Sequence, residues 1–152
     1  MRKRSNTPQA KLERSLWELC RSLANRLWAT PTGRSATCYT CDRPIRGSNK
    51  QLGHFIPKAS GGALLKYNML NLRWQCYNCN INLGGNGAEF YKRLVAEFGD
   101  KYVDNLFTLK QQTTKSTDHY EALSDLYTEL IEMDLTPKRL WKKICEAEVS
   151  DS

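Results

Sequence analysis

The chain has 152 residues and 17.5 kDa, with 23 Lys+Arg against 16 Asp+Glu and a formal charge of +7. Forty per cent of the residues are hydrophobic and six are Cys, which suits a folded chain with one core and excludes a disordered one. No apolar run approaches the roughly 18–20 residues that span a bilayer, and the start Met1-Arg2-Lys3-Arg4 leads into no apolar stretch, which argues against membrane insertion and secretion.

The charge is divided along the chain. Residues 1–87 hold 14 basic and 3 acidic side chains, a net of +11, and residues 88–152 hold 9 and 13, a net of −4. A strongly basic half is the electrostatic footprint of a polyanion binder. Residues 1–7 form a basic, apolar-poor tail, expected to be disordered until it meets a partner. Leu12, Leu16, Leu19, Leu23 and Leu27 then recur at helical spacing, widened by Trp17, Cys20, Ala24 and Trp28, which predicts an amphipathic helix in a unit over 8–30. Its Arg14, Arg21 and Arg26 are expected to face solvent or phosphate.

Residues 36–110 change texture, with short strands, glycines and paired cysteines giving way to helical spacing through Phe90, Leu94, Val95 and Phe98. Gly99 supplies a stop, and a short helix around 101–109 follows. Asp118 and Glu121 form a capping-box pattern that opens a helix carrying six acidic residues up to Asp134. Thr136-Pro137 marks the start of the last helix, so 117–149 reads as a helical C-terminal extension.

Cys38-Tyr-Thr-Cys41 and Cys76-Tyr-Asn-Cys79 are two C-x2-C pairs separated by 34 residues. Each knuckle turns two thiolates toward one point, and two knuckles complete the tetrahedral four-sulfur set of a structural zinc site. The spacer is long, so the site is expected to clamp the ends of an intervening hairpin. Cys20 and Cys145 lie on apolar helix faces and read as core residues. Of the two histidines, His119 reads as a surface or capping residue beside a helix start. His54 lies in Gln51-Leu-Gly-His-Phe-Ile-Pro57, a strand-like run between the knuckles, followed by the basic loop Lys58-Ala-Ser-Gly-Gly62.

Gly53-His54, Asn71-Leu72 and Cys76-x2-Cys79-Asn80 in that order resemble the HNH endonuclease signature. Leu52-Gly-His-Phe, Lys66-Tyr-Asn68, Asn71, Gln75-Cys76-Tyr-Asn-Cys79-Asn80, Gly85-Asn86 and Phe90 look more closely like the NinG/Rap family of lambdoid-phage recombination endonucleases, over roughly residues 36–107. The resemblance implies an α+β fold: a ββα-metal (His-Me finger) module stapled by the four-cysteine zinc site and flanked by helices. It implies a nuclease using one divalent ion, Mg²⁺ or Mn²⁺, in which His54 is the general base, Asn71 fixes the loop that orients His54, and Asn80 presents its carbonyl oxygen to the ion. Branched DNA such as a Holliday junction is the implied substrate, and the host bacterium's cytoplasm the implied location. Symmetric cutting of a junction would call for a homodimer. The acidic C-terminal helices could alternatively dock a protein partner.

One position departs from the pattern. Many HNH enzymes place Asp or His, as a metal ligand, where this chain has Gly53; Gln51, Asn82, Asp42 or Glu89 are the candidates to compensate. Arg34, Arg43, Arg46, Lys50, Lys58, Lys66 and Arg73 flank the site and are expected to neutralise phosphates. Tyr39, Tyr67 and Tyr77 could stack on bases, whereas Trp74 reads as core. The alternative from another class is a non-catalytic zinc-containing DNA-binding recombination mediator, which would need the cysteines and the basic half but neither His54 nor Asn80.

Overall fold

A computed structural model describes residues 2–150, with side chains through residue 148; Met1 of the expected tail lies outside the described residues. Helix α1 runs Pro8–Trp28. Thr7 caps it, its hydroxyl accepting from the Ala10 amide at 3.2 Å, and Pro8 supplies a helical φ where no amide is needed. Strands β1 (Ser35–Thr37) and β2 (Pro44–Arg46) pair antiparallel, and the turn between them carries the first cysteine knuckle.

Strand β3 (Gln51–His54) pairs antiparallel with β4 (Leu72–Gln75) in the register Gln51–Gln75, Leu52–Trp74, Gly53–Arg73 and His54–Leu72. Between them the chain makes two single helical turns, α2 (Lys58–Gly61) and α3 (Ala63–Lys66), and a tight turn at Met69–Asn71. After β4 comes a π turn, Asn78–Asn82, closed by the Leu83 amide on the Asn78 carbonyl at 2.9 Å. Helix α4 (Gly87–Phe98) follows; Gly99, at φ 89°, ends it and turns the chain into α5 (Asp100–Lys110).

Helices α6 (Ser116–Glu132) and α7 (Pro137–Ser150) pack on α1. One cluster of buried side chains joins Leu16 and Leu23 of α1, Leu52 and Trp74 of the hairpin, Phe90 and Leu94 of α4, Leu123 and Leu130 of α6 and Ile144 of α7. Two details of the sequence reading change. Lys115, not Asp118, precedes α6, and Asp118 sits in its first turn, where a carboxylate faces the positive end of the helix dipole. Arg26 does not face solvent for phosphate: its guanidinium donates to the Ile131 and Met133 carbonyls at 2.6 and 2.9 Å, satisfying the carbonyl end of α6.

Candidate active site and metal centre

The β1–β2 turn and the end of β4 meet because the Tyr39 amide donates to the Trp74 carbonyl at 2.9 Å, placing one knuckle beside the other. Asp42, at φ 64°, lets the first knuckle close. The four sulfurs of Cys38, Cys41, Cys76 and Cys79 lie within 4.8 Å of one another, and Cys41 to Cys76 is 3.8 Å. Tetrahedral zinc with sulfur at about 2.3 Å requires edges of about 3.8 Å, so this set can hold a metal ion such as zinc. The site is tied down by its surroundings. The Cys79 amide donates to Cys76 Sγ at 3.3 Å, and Asn86 Nδ2 to Cys79 Sγ at 3.7 Å. Burial works to raise the Cys38 thiol, but hydrogen bonds from the Cys76 backbone and Thr40 outweigh it and hold it at about 6. Burial dominates at Cys41, which is pushed up to about 12 while its sulfur shares hydrogen bonds with the other three. Cys20 is fully buried and Cys145 packs against the core, outside this cluster.

His54 ends β3 at the wall of an open cleft of about 590 Å³ that Asn80 also lines. Its Nε2 lies 2.8 Å from the Lys66 carbonyl. A carbonyl only accepts, so Nε2 carries the hydrogen and the neutral ring keeps its lone pair on Nδ1. Trp17 of α1 lies flat on the imidazole, with centroids 5.6 Å apart and planes 3° from parallel. Burial, reinforced by the charges of Lys58 and Lys66, lowers His54 from its ordinary 6.5, against the Lys66 hydrogen bond that raises it. At neutral pH this is an unprotonated base, held by a stack on its face and a hydrogen bond at its far nitrogen.

Asn71 does not reach the cleft; it is fully buried. Its Oδ1 accepts from the Ile56 amide at 2.8 Å, and its Nδ2 donates to the Ile56 and Leu65 carbonyls at 3.0 and 3.3 Å. It thereby ties the chain just after His54 to the turn whose next carbonyl, Lys66, receives His54. Asn71 thus acts on His54 through the backbone, as a positioning residue.

Asn80 sits in the π turn, with Nδ2 donating to Gln51 Oε1 at 2.9 Å. Gln75, fully buried, donates through Nε2 to Thr40 Oγ1 at 3.0 Å and to the Gly85 carbonyl at 2.9 Å, while its Oε1 has no hydrogen-bond partner. Both amides converge on Gly53. A β-carbon there would run into Gln75 Oε1, 2.9 Å from Gln75 Cδ and 3.0 Å from Asn80 Oδ1. Gly53 is therefore glycine because a neighbouring amide occupies the space its side chain would need. The other residues considered as substitutes are engaged elsewhere. Asp42 and Glu89 both pair with Arg93, at 2.6 and 3.2 Å, and exposed Asn82 bonds Asn78 at 3.2 Å.

The basic residues divide by burial. Arg34, Arg43, Arg46 and Lys58 are exposed. The His54 cleft runs on one side into a pocket lined by Arg4, Arg14 and Lys66, and on the other into one lined by Arg34 and Arg46, with Arg21 between. Lys66 is partly neutralised by Glu13 at 2.7 Å. Two expectations fail. Lys50 is 8% exposed, donating to Asn25 Oδ1 and the Gly33 carbonyl, with its ammonium 4.0 Å from the Trp74 ring centre. Arg73, 2% exposed, lies over Trp28, Tyr39, Phe98 and Trp141 and donates to the Met69 and Leu72 carbonyls and the Tyr102 hydroxyl. Arg73 is a structural cation enclosed by rings; Lys50, at the edge of the cleft, is spent on two acceptors and the Trp74 ring. Tyr67 is buried too, and Tyr39 donates to Glu97 at 2.8 Å; Tyr77, with Ile81 and Leu83, remains exposed on the second knuckle. The signals missed in the sequence are the place of Trp17, whose helical phase points only to core packing, and the side-chain role of Gln75, which enters the reading only as part of a family motif.

The family model described as bacteriophage lambda NinG protein matches residues 2–135. The chain belongs to the NinG family. No curated protein and no solved structure matches it. The NinG match takes in α1 through α6, and so both knuckles, the β3–β4 hairpin and the residues lining the His54 cleft. Among the described residues no helix is long and apolar enough to cross a membrane.

Proposed function

We propose that this NinG-family chain is an HNH-type, metal-dependent DNA endonuclease of phage recombination, acting on branched DNA such as a Holliday junction in the cytoplasm of the host. The observation that carries the reading is His54: a neutral imidazole with its basic Nδ1 free, stacked and hydrogen-bonded into one orientation, at the wall of a cleft flanked by exposed cations. β3, β4 and the turn bearing Asn80 then correspond to the strand, strand and helix start of the HNH module.

In this reading the arginines and Lys58 along the groove hold the phosphate backbone, which gives affinity without reading sequence. His54 Nδ1 takes a proton from the attacking water as its oxygen bonds to phosphorus and the ester bond on the opposite side breaks. Asn80 Oδ1 suits Mg²⁺ or Mn²⁺, hard ions that take neutral oxygen ligands and retain water. Such an ion, when bound, supplies positive charge to the scissile phosphate and the leaving oxygen. Exposed Tyr77, Ile81 and Leu83 offer apolar faces to unpaired bases at a branch point. Zinc in the cysteine cluster is structural, since four protein ligands leave no open position.

The test is cleavage of linear, nicked and four-way DNA by wild type and Asn80→Ala, with Mg²⁺ or EDTA. We expect Mg²⁺-dependent cutting, fastest on the four-way substrate, that Asn80→Ala abolishes without loss of DNA binding. The absence of an acidic side chain at residue 53 favours the second reading, a non-catalytic DNA-binding mediator; tight binding with no cutting under any divalent ion decides for it. The groove also makes a separate prediction. Arg34→Ala should weaken DNA binding and lower its salt slope by about one. Arg73→Ala should leave that slope unchanged and instead destabilise the fold by about 2–4 kcal/mol, through a cavity among four rings and lost hydrogen bonds. A changed slope with unchanged melting for Arg73→Ala would overturn its assignment as structural.

A further inference from the structure

Gln75 and Asn80 are built alike. Each is anchored through its nitrogen, Gln75 to Thr40 and Gly85, and Asn80 to Gln51. The Gly85 anchor fixes which way the Gln75 amide faces, because a carbonyl can accept only from the nitrogen end. Each therefore sends its oxygen toward Gly53, where a β-carbon would clash with Gln75 Oε1 and lie 3.0 Å from Asn80 Oδ1. Gln75 Oε1 is fully buried with no donor to meet it. An unpaired buried acceptor costs about 1–3 kcal/mol, so its persistence calls for a ligand. Among the described residues the cleft itself is lined by no carboxylate; Asp42 and Glu89 serve Arg93, Glu13 serves Lys66, and Glu18 lines the adjoining pocket.

We infer that Gln75 Oε1 and Asn80 Oδ1 together form the protein's half of a divalent-cation site, with the Gln75 amide oxygen standing where related sites use a carboxylate from residue 53. The inference rests on the nuclease reading for its use and on geometry alone for its location. Gly53 is then required for its lack of a side chain, which leaves room for the Gln75 oxygen to reach the ion. Gln51 acts as a positioning residue, because its Oε1 holds the Asn80 nitrogen and so aims Oδ1. Two neutral oxygens supply little charge, and a site of this kind binds hard, oxygen-seeking Mg²⁺ weakly until phosphate oxygens complete the shell. A cofactor of this type would be recruited with the DNA rather than carried resident.

The test is a Mg²⁺ titration of the full, zinc-loaded, isotope-labelled chain, carried to concentrations that saturate a weak site and repeated with inorganic phosphate present to complete the shell, followed by NMR at the side-chain carbonyl carbons. Gln75 Cδ and Asn80 Cγ are expected to shift on one binding curve. Gln75→Glu should tighten that curve on the order of tenfold by adding a charge. Gln75→Leu should weaken the Asn80 response at least tenfold, with zinc content and the melting curve checked for both variants. If Asn80 responds alone and Gln75→Leu leaves its curve intact, Gln75 is no ligand, its oxygen meets a buried water, and the nuclease reading survives. If neither carbon responds while DNA is still cut with Mg²⁺, the inference fails and the nuclease stands. If neither responds and no DNA is cut, both fail.

Discussion

Replacing His54 with Ala should reduce DNA cleavage by about a hundred- to ten-thousand-fold, the range typical of losing a positioned general base, while DNA affinity and zinc content stay at wild-type levels. The residue makes no ion pair with the groove, so its removal takes away the proton acceptor and not the phosphate contacts. On the proposed mechanism the same side chain sets the pH profile. Only the neutral ring can accept the proton, so cleavage is full above its pKa and lost as pH falls through it. Burial, with Lys58 and Lys66 nearby, places that pKa below 6.5, so the acid limb of kcat/KM should lie below pH 6.5. His54→Ala should abolish that limb along with the rate. An acid limb well above 6.5, or cleavage untouched by the substitution, would transfer the base role to another group.

The second large effect concerns the cysteine cluster. Cys76→Ser, or chelation with removal verified by metal analysis, should lower the melting temperature by about 10 °C or more. A loss of about 4 kcal/mol suffices for that in a chain of this size, and structural zinc contributes roughly 10–16 kcal/mol to zinc-finger peptides. The damage should be local. The β1–β2 turn, the end of β4 and the start of α4 through Asn86 all converge on these sulfurs, whereas α1, α6 and α7 share an apolar core. Helical circular dichroism should therefore outlast the signals of the knuckles. Cys145→Ser, outside the cluster, should leave metal content unchanged. Identical melting with and without the metal would sink the structural role.

Much of this site is legible in the sequence. The C-x2-C spacing brings two thiolates together by local geometry alone, and both pairs do meet. The order His54, Asn71, Asn80 sits on a hairpin and the turn that follows it; the first strand is read from the run stopped by Pro57, and the rest is what the resemblance implies. The roles within that order were less legible. Asn71 works one layer behind the cleft, and Asn80 sits on a π turn before α4 rather than on the helix itself.

The cations show where the limit falls. Arg73 and Lys50 look no different in the sequence from Arg34 and Arg46, because a side chain's charge is local but its burial is not. Strand alternation puts Arg73 on the face it shares with Gly53, and only the arrival of α4, α5 and α7 encloses it in rings. Trp17 is the converse case: its helical phase promised core, and the packing of α1 against the hairpin lays it on the imidazole.

The opening charge of +7 thus holds cations of two kinds, a groove of exposed ones and two that the interior consumes. Local spacing by itself determined the four thiolates, and the resemblance to a family pattern singled out His54 and Asn80. The tertiary structure alone decided which nitrogen of His54 is free, which cations face solvent, and why residue 53 is glycine. Each of those depends on a partner distant in sequence: the Lys66 carbonyl, the aromatic rings around Arg73, and the amide of Gln75.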